Sequence, residues 1–546
     1  MSNYNPKDLG ADCDNCPFKG AIIVPPSIPA NAKLMVVGEH PGPYEEKTGE
    51  PFTGPSGRKL DYVLRRVGLD RKDVQLNNAV LCKPKKKVTA GEFKKALDCC
   101  RPRLAKELKE QNIIYPNRVV ITYGQKSTRT ITGKFQIFTW MGGPLTPICE
   151  IDAIVIPTLH TAFLLRSPEY TPVVLIHTER ADAIARNKLK PWRWPVVYNN
   201  HQHSNQEILE KLLELEKSEV LAVDIETNGL DYKSVIKDIA LCNDKIVVSV
   251  QPWLVKDAKI IQTLKRIFRN RRIKKVLQNG QFDKFCLDYS GYFLSNVDFD
   301  TLLAHQVIAP RWRHDLGFQG AVEFHAPRWK AEFKAEGEEL WNSDEKAIER
   351  AIYNGRDAYI TYLLHIRYIA RFKKREKEQF DELMEELALA LKMRKAGIPV
   401  AIENLSTHDA ALLIREDEAL TKSKKFAASL GLEDFNPYSS RDLNTIFNVT
   451  LGIRPKAYSE KTGAPKYDAA ELSRLSSHEN VVARQFSILI LEYKKVKKLR
   501  STYITNLVID YDGCIRPTWR PGAAITRRWG CSNPNMMNIP KAKGES

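Results

Sequence analysis

The stretch VLAVDIETNGLD (residues 220–231) decides the fold in the middle of this chain. Its β-branched residues predict a buried strand that ends in Asp224 and Glu226. Side chains two residues apart leave the same face of a strand, so these carboxylates are predicted to converge. Convergent carboxylates repel each other without a cation, and hard oxygen ligands suit Mg²⁺ or Mn²⁺. On its own, the pattern is also typical of an exposed acidic strand end.

Two later stretches add functional groups at helical spacing. VLQNGQFDKF places Asn279 and Asp283 four residues apart, and AIYNGRDAYITYLLH does the same for Tyr353 and Asp357. On helices, this spacing aligns each pair on one face. The prediction is therefore a site of four carboxylates and one tyrosine. Asn279 either orients its neighbours or the substrate, or caps a helix.

In this order, these residues resemble the proofreading 3'-to-5' exonuclease domain of family A DNA polymerases over about residues 205–375. The resemblance implies a ribonuclease H-like fold and hydrolysis without a covalent enzyme intermediate. Tyr353 would orient the attacking water, whereas Asp300 is predicted to be structural. Two ions of Mg²⁺ or Mn²⁺ would be held by four carboxylates: Asp224, Glu226, Asp283 and Asp357.

The N-terminal third alternates β-rich runs such as KLMVVG, NRVVITYG and AIVIPTLH with amphipathic stretches, a pattern typical of an α/β domain. It also contains a C-x-x-C pair, Cys13 and Cys16, followed by Cys82, Cys99 and Cys100. Four thiolates suit a zinc ion or an iron–sulfur cluster. The spacing alone does not choose between them.

Three stretches in this region, VVGEHPGPYEEKTGEPFTGPSGRKL, NNAVLCKP and TLHTAFLLRSP, resemble in order the family 4 uracil-DNA glycosylases. The resemblance covers about residues 10–190. It implies a 4Fe-4S cluster, with Cys99 as a substitute ligand. The four cysteines that match the family pattern are Cys13, Cys16, Cys82 and Cys100.

The same resemblance implies a pocket for uracil. Glu39 would line it and Phe52 would stack on the base, while Asn78 would read the polar edge and His160 would stabilise the departing oxygen. The usual His-Pro-Ser of the family is His-Thr-Ala at residues 160–162. Two expectations stay open: excision of uracil, or a glycosylase fold retained for DNA binding or domain docking.

Beyond residue 375, long charged amphipathic helices are predicted. The stretches ILEYKKVKKLRSTYITNLV and DGCIRPTWRPGAAITRRWGCSNPNMMNIPK resemble the thumb and the entry to the palm of family A polymerases over about residues 380–540. Arg528 would contact the primer or template backbone. Because the sequence ends soon after Pro540, we expect no primer extension by this chain alone. We expect a fragment, or one half of a polymerase whose palm and fingers lie on a separate chain.

Length and charge agree with these expectations. A chain of 546 residues exceeds one hydrophobic core, so several domains are predicted: 1–195, 205–375 and 376–546, with a polar linker near 190–205. Lys and Arg number 84 against 66 acidic residues, a formal charge of +18. Such a charge favours a polyanionic partner. DNA is expected, as single-stranded 3' ends and primer-template.

No apolar run approaches the roughly 18 residues that span a bilayer, so no membrane partner and a cytoplasmic location are expected, in the host cell if the gene is of a bacteriophage. The sequence thus predicts a multidomain α/β DNA replication and repair protein. Its parts are a glycosylase-like α/β/α domain, a ribonuclease H-like exonuclease, and a helical thumb with the start of a palm. The alternative is a non-catalytic DNA-binding subunit of a split polymerase, which would bind DNA without shortening it.

Overall fold

The computed structural model describes residues 4–84, 88–110, 113–149, 151–229, 233–255, 257–334, 343–459 and 464–539. The chain divides into two compact units, Met1–Glu385 and Glu386–Ser546. Pro540, part of the predicted entry to the palm, lies outside the described residues. None of the described helices combines the length and apolarity needed to cross a membrane.

The first unit contains two open sheets and the helices that cover them. Its strands are β1 (Leu34–Gly38), β2 (Val74–Asn78), β3 (Val119–Tyr123), β4 (Ile154–Thr158), β5 (Val197–Asn199), β6 (Val220–Thr227), β7 (Ile236–Cys242), β8 (Val247–Val250), β9 (Lys274–Leu277) and β10 (Val297–Asp300). Its helices are α1 (Pro43–Thr48), α2 (Pro55–Arg66), α3 (Ala90–Glu110), α4 (Gln125–Thr132), α5 (Ile137–Trp140), α6 (Thr161–Leu164), α7 (Thr171–Ala185), α8 (Asn205–Leu215), α9 (Ala258–Arg269), α10 (Gln281–Tyr289), α11 (Thr301–Ile308), α12 (Leu316–Phe324), α13 (Trp329–Lys334) and α14 (Ala347–Arg371).

The first sheet has four parallel strands in the order β2-β1-β3-β4. Leu34 and Val36 of β1 face a core that includes α2 and α7, whereas Met35 and Val37 pack with α3 and α4. This alternation follows from the two-residue period of a strand. Helices therefore cover both faces, which confirms the predicted α/β/α fold. Ligands of such sheets bind beyond the carboxyl ends of the strands.

The second sheet is mixed, in the order β10-β9-β6-β7-β8-β5. Strands β6, β7 and β8 are antiparallel neighbours, and β9 runs parallel to β6. Helix α14 crosses the sheet and contacts all of its strands from β5 to β9. A Cβ at Gly355 of this helix would lie 2.6 Å from a methyl of Val197, so glycine permits the close approach. Strand β5 belongs to the segment predicted as a linker, which therefore contributes to this sheet.

The regions around the two sheets contact each other within the first unit. The buried Arg180 of α7 donates to the backbone oxygen of His325, and the buried Arg328 donates to that of Thr139 (2.6 Å). The core of the first sheet also includes Phe318 of α12. Buried guanidinium groups need such partners. The part that holds the first sheet therefore donates a hydrogen bond to the part that holds the second, and the second part donates one to the first.

The second unit is mainly helical, as predicted. Helix α15 (Lys374–Ala396) begins in the first unit and ends in the second. The other elements are β11 (Ile398–Pro399), α16 (Ile402–Ser429), α17 (Ser440–Asn444), α18 (Ala469–Leu475), α19 (Val481–Arg500), β12 (Cys514–Ile515), β13 (Thr518–Arg520) and β14 (Gly530–Ser532). Its core contains Phe447, Phe486 and Ile490.

Candidate active sites

Three carboxylates converge at the second sheet. Strand β6 presents Asp224 and Glu226, and α14 presents Asp357 from the helix that crosses the sheet. Each offers an oxygen within 4.8 Å of the others, and in the described part of the chain no other three potential metal ligands do so. The strand pair lies on one face, as its two-residue spacing predicts.

Asp283 and Tyr353 complete the predicted set. Asp283, on α10, accepts a hydrogen bond from the backbone N–H of Ile225 (3.2 Å), between the two strand carboxylates. Tyr353 lies one turn before Asp357 on α14, and its hydroxyl accepts from the ammonium of Lys330 (3.0 Å). All five residues named from the sequence thus meet at one place.

The spacing argument was wrong for Asn279. Helix α10 begins at Gln281, so Asn279 precedes it with a positive φ of 57° and shares no helix face with Asp283. The Asn279 side chain does not cap that helix either. Asp300 is structural, as predicted, because its buried carboxylate accepts backbone N–H groups at 2.8–3.3 Å. The donors are Asn279, Gly280, Leu302 and Leu303.

Burial and the closeness of the carboxylates to one another dominate the electrostatics of this site. Burial raises the pKa of Glu226 to about 8, and the nearby Asp357 raises it further. Burial likewise raises the pKa of Asp283 to about 7, and burial together with Asp357 raises that of Asp224 well above its usual range. These carboxylates therefore retain protons near neutral pH unless a cation compensates them.

Three residues at this site were missed by sequence reasoning. The indole N–H of Trp329 donates to Asp357 Oδ1 (2.7 Å), and the ammonium of Lys330 pairs with Asp357 Oδ2. With its amide oxygen accepting from the Ala240 N–H (3.3 Å), Asn354 donates to Asp224 Oδ2 (2.8 Å). Asn354 follows Tyr353 in the stretch quoted above, so the sequence offered a signal for it. Trp329 and Lys330 lie in none of the quoted motifs.

The predicted pocket forms beyond the carboxyl ends of the first sheet. One cavity of 250 Å³ is lined by all four predicted residues, which come from the ends of β1, β2 and β4 and from the loop before α2: Glu39, Phe52, Asn78 and His160. It is also lined by residues that the sequence did not single out: His40, Pro41, Gly42, Glu45, Ser56 and Ala162.

The pocket depends on a glycine at the end of β1. A Cβ at Gly38 would lie 2.5 Å from the side-chain oxygen of Asn78 and 2.6 Å from the ring of Phe52. Phe52 is buried and has a positive φ of 57°, a conformation that few non-glycine residues adopt. The guanidinium of Arg71 donates to the Phe52 carbonyl. The aromatic wall of the pocket is thereby fixed by its backbone.

Two polar groups of the pocket, His160 and Glu39, have defined hydrogen-bond partners. The backbone N–H of Ala162 donates to His160 Nδ1 (3.1 Å), and burial lowers the pKa of His160, so its neutral ring carries the proton on Nε2. Glu39 accepts from the backbone N–H of Lys126 (3.2 Å) and lies 3.4 Å from its ammonium. The pocket therefore offers a neutral donor and a compensated carboxylate.

The N-terminal cysteines meet beside the pocket. Burial raises the pKa of Cys82 to about 12, and the nearby thiols of Cys100, Cys16 and Cys13 add to the rise. Cys99 lies next to Cys16 as well. No three thiols of the described residues lie within 4.8 Å of one another.

The remaining predicted site residue, Arg528, belongs to the second unit. It is exposed in the loop that joins β13 to β14. It is therefore available to solvent.

Comparison with known proteins covers all three regions. The sequence model of the Uracil DNA glycosylase superfamily matches residues 25–181, that of the 3'-5' exonuclease matches 201–365, and that of DNA polymerase family A matches 411–546. Over 174 residues, the chain is 30% identical to the type-4 uracil-DNA glycosylase of Sulfurisphaera tokodaii, covering 75% of that protein and 31% of this chain. In its N-terminal region the chain belongs to the type-4 uracil-DNA glycosylases, and residues 201–365 and 411–546 are similar to the exonuclease and polymerase domains of DNA polymerase family A.

Two polymerase relatives match longer stretches. DNA polymerase I of Synechocystis is 30% identical over 291 residues, which are 51% of this chain and 28% of that protein. The DNA polymerase of Bacillus phage SP01 is 21% identical across 93% of this chain and 63% of its own length. The chain thus spans less than two thirds of either polymerase. The carboxylate site lies inside the exonuclease match, and the pocket lies inside the glycosylase match.

Proposed function

We propose that the carboxylate site of this chain is a divalent-metal-dependent 3'-to-5' exonuclease that acts on DNA. The observation that carries the proposal is the convergence of Asp224, Glu226 and Asp357 within 4.8 Å, with Asp283 behind them. An exonuclease domain in a polymerase chain removes nucleotides from the 3' end, which is where a polymerase adds them. Proofreading during DNA replication or repair is the role that follows.

The residues fit a pair of divalent cations. Their donor atoms are all carboxylate oxygens, the ligands that Mg²⁺ and Mn²⁺ prefer. Burial raises the pKa values of Glu226 and Asp283, so a bound cation would stabilise their ionised forms. The ammonium of Lys330 already occupies one side of Asp357. The chemistry that divalent cations supply in such a site is activation of water and neutralisation of charge on the phosphate.

The protein's own contribution is to fix positions. Trp329 holds Asp357 through its indole N–H, and Asn354 holds Asp224 through its amide. Burial and the adjacent Asp357 raise the pKa of Tyr353, so its hydroxyl keeps its proton and serves as a donor that orients the attacking water. Such orientation lowers the entropic cost of the attack.

DNA is the proposed partner, as a single-stranded 3' end in the exonuclease and as primer-template at Arg528. The formal charge of +18 supports a polyanionic ligand. The comparisons give no support to a separate palm-and-fingers chain.

The test uses a 5'-labelled single strand incubated with the protein and Mg²⁺, beside the Asp224→Asn variant. We expect stepwise shortening from the 3' end that the variant lacks. Binding without shortening, in Mg²⁺ and in Mn²⁺, would favour a DNA-binding subunit instead.

A second proposed function is recognition and excision of uracil in the 250 Å³ pocket. It is supported by the neutral His160, whose Nε2–H is free to donate to a carbonyl oxygen of the base as the glycosidic bond breaks. A donor aimed at developing negative charge is the main requirement of such a step. Phe52 would stack on the base and Asn78 would read its edge.

For the thiols, we propose a 4Fe-4S cluster on Cys13, Cys16, Cys82 and Cys100, with zinc as the alternative. Their closeness to one another supports a structural cluster. Iron and sulfide analysis of anaerobically purified protein tests the assignment. Release of free uracil from uracil-containing DNA by that protein tests the pocket.

A further inference from the structure

Lys330 is the basic residue that reaches the carboxylate site. Its ammonium pairs with Asp357 Oδ2, donates to the hydroxyl of Tyr353 (3.0 Å) and lies 4.8 Å from the centre of that ring. Two members of the proposed catalytic set thus share one ammonium. The helix that carries it, α13, begins directly after the buried Arg328.

The partners of this ammonium are not equivalent. Oδ1 of Asp357 is held by the Trp329 indole (2.7 Å), so Oδ2 is the oxygen that Lys330 occupies. Oδ2 is also an oxygen through which Asp357 would bind a metal ion. A cation that takes this oxygen must displace the ammonium or share the oxygen with it. The Tyr353 hydroxyl, already within hydrogen-bond distance, remains a partner for a displaced ammonium.

We propose that Lys330 is a further positioning residue of the exonuclease site: a tethered ammonium that competes with a divalent cation for Asp357 and is retained by Tyr353 when the cation binds. The inference rests on the proposed metal site. In the absence of a divalent cation, Lys330 weakens the repulsion among the carboxylates. With the cation bound, its hydrogen bond to Tyr353 turns the hydroxyl proton away from the ammonium and towards the space between the carboxylates.

The test measures Mn²⁺ binding by electron paramagnetic resonance, without DNA, on the full chain. Lys330→Met removes the competing charge, so we expect Mn²⁺ to bind about tenfold more tightly. Tyr353→Phe removes the alternative partner of the ammonium, so we expect Mn²⁺ to bind about threefold more weakly. These opposite changes keep the test informative even if one variant folds poorly, which thermal unfolding would reveal.

The matched control is Lys284→Met. The ammonium of Lys284 pairs with Asp288 (2.8 Å) on α10 rather than with a carboxylate of the site. Its replacement changes the net charge of the protein by the same amount as Lys330→Met. Its Mn²⁺ affinity should stay within about twofold of the unaltered protein. If Lys330→Met and Tyr353→Phe both bind Mn²⁺ like the unaltered protein, Lys330 does not compete and the inference is overturned while the metal site stands. If the unaltered protein binds no Mn²⁺, the metal site itself fails.

Discussion

The two sites of the first unit solve opposite electrostatic problems. At the second sheet, carboxylates are gathered from a strand and two helices, where burial raises their pKa values and neighbouring carboxylates raise them further. In the pocket of the first sheet, the one carboxylate that faces a cation, Glu39, is compensated by Lys126, and His160 is kept neutral by burial. The first arrangement needs external cations and the second does not.

The difference shows how chemistry can be separated within one compact unit. Hydrolysis of a phosphodiester bond places charge on phosphate oxygens, which divalent cations neutralise. Loss of a base places charge on a base oxygen, which a neutral hydrogen-bond donor stabilises. The predictions below are arranged to break this comparison or to sharpen it.

The largest effect is expected from Asp224→Ala. Loss of one carboxylate from a cluster that holds metal should lower the exonuclease rate by about a thousandfold. Gel analysis of 3'-end shortening with Mg²⁺ measures it, and the circular dichroism spectrum checks the fold. A loss of less than about tenfold would remove Asp224 from the metal site.

His160→Ala should lower the rate of uracil release by about a hundredfold, since it removes the donor to the departing oxygen. Free uracil is measured by chromatography after incubation with uracil-containing DNA. Exonuclease shortening by the same variant serves as the control for folding. The comparison would break if the variant released uracil at the unaltered rate.

The cysteines sharpen the comparison, because their metal is proposed to stabilise the fold beside the pocket rather than to act in it. Cys82→Ser should abolish the visible absorbance of the cluster and lower the melting temperature by about 5 °C. The matched variant Cys99→Ser should keep the visible absorbance and the melting temperature of the unaltered protein. The reverse pattern would make Cys99 a ligand.

The smallest effect is a pH dependence of metal stabilisation. With pKa values raised to about 8 for Glu226 and about 7 for Asp283, the folded metal-free site holds protons that the unfolded chain releases near pH 4. Stability from this site therefore falls as pH rises from about 5 to 8, and a cation offsets the loss. The rise in melting temperature caused by Mn²⁺ should be about 3 °C larger at about pH 8 than at about pH 6.

The pH series compares melting temperatures measured with and without Mn²⁺, because groups outside the carboxylate site also titrate. Burial lowers the pKa of His177 and of His305 to about 3. The unfolded chain therefore binds protons at these histidines below about pH 6.5, and the folded protein loses stability there with or without Mn²⁺. An equal Mn²⁺ effect at both pH values would show that protons and metal do not share the carboxylates.

Local patterns in the sequence predicted part of the carboxylate site, whereas the pocket residues were implied by the resemblance to the family 4 uracil-DNA glycosylases. The two-residue period of a strand aligned Asp224 with Glu226, and the helical spacing aligned Tyr353 with Asp357. The same rule failed for Asn279 because the helix starts two residues later, after a left-handed residue. The domain boundaries and the roles of the site residues stay predictions.

What local patterns could not supply is contact across long stretches of chain. Lys330 and Trp329 reach Asp357 from 27 and 28 residues away, and no spacing rule links them. The contact between Arg328 and Thr139 joins residues 189 apart, and it depends on how two covered sheets pack. Tertiary packing decides such contacts, and a local sequence motif does not predict them.

The most direct test of two separate chemistries uses one DNA strand with a 5' label and a single internal uracil. The protein is incubated with it in Mg²⁺ and, separately, in EDTA, and the products are examined before and after alkali. We predict 3'-end shortening only in Mg²⁺ and an alkali-sensitive break at the uracil in both. Shortening that persists in EDTA, or a break at uracil that requires Mg²⁺, would contradict the account.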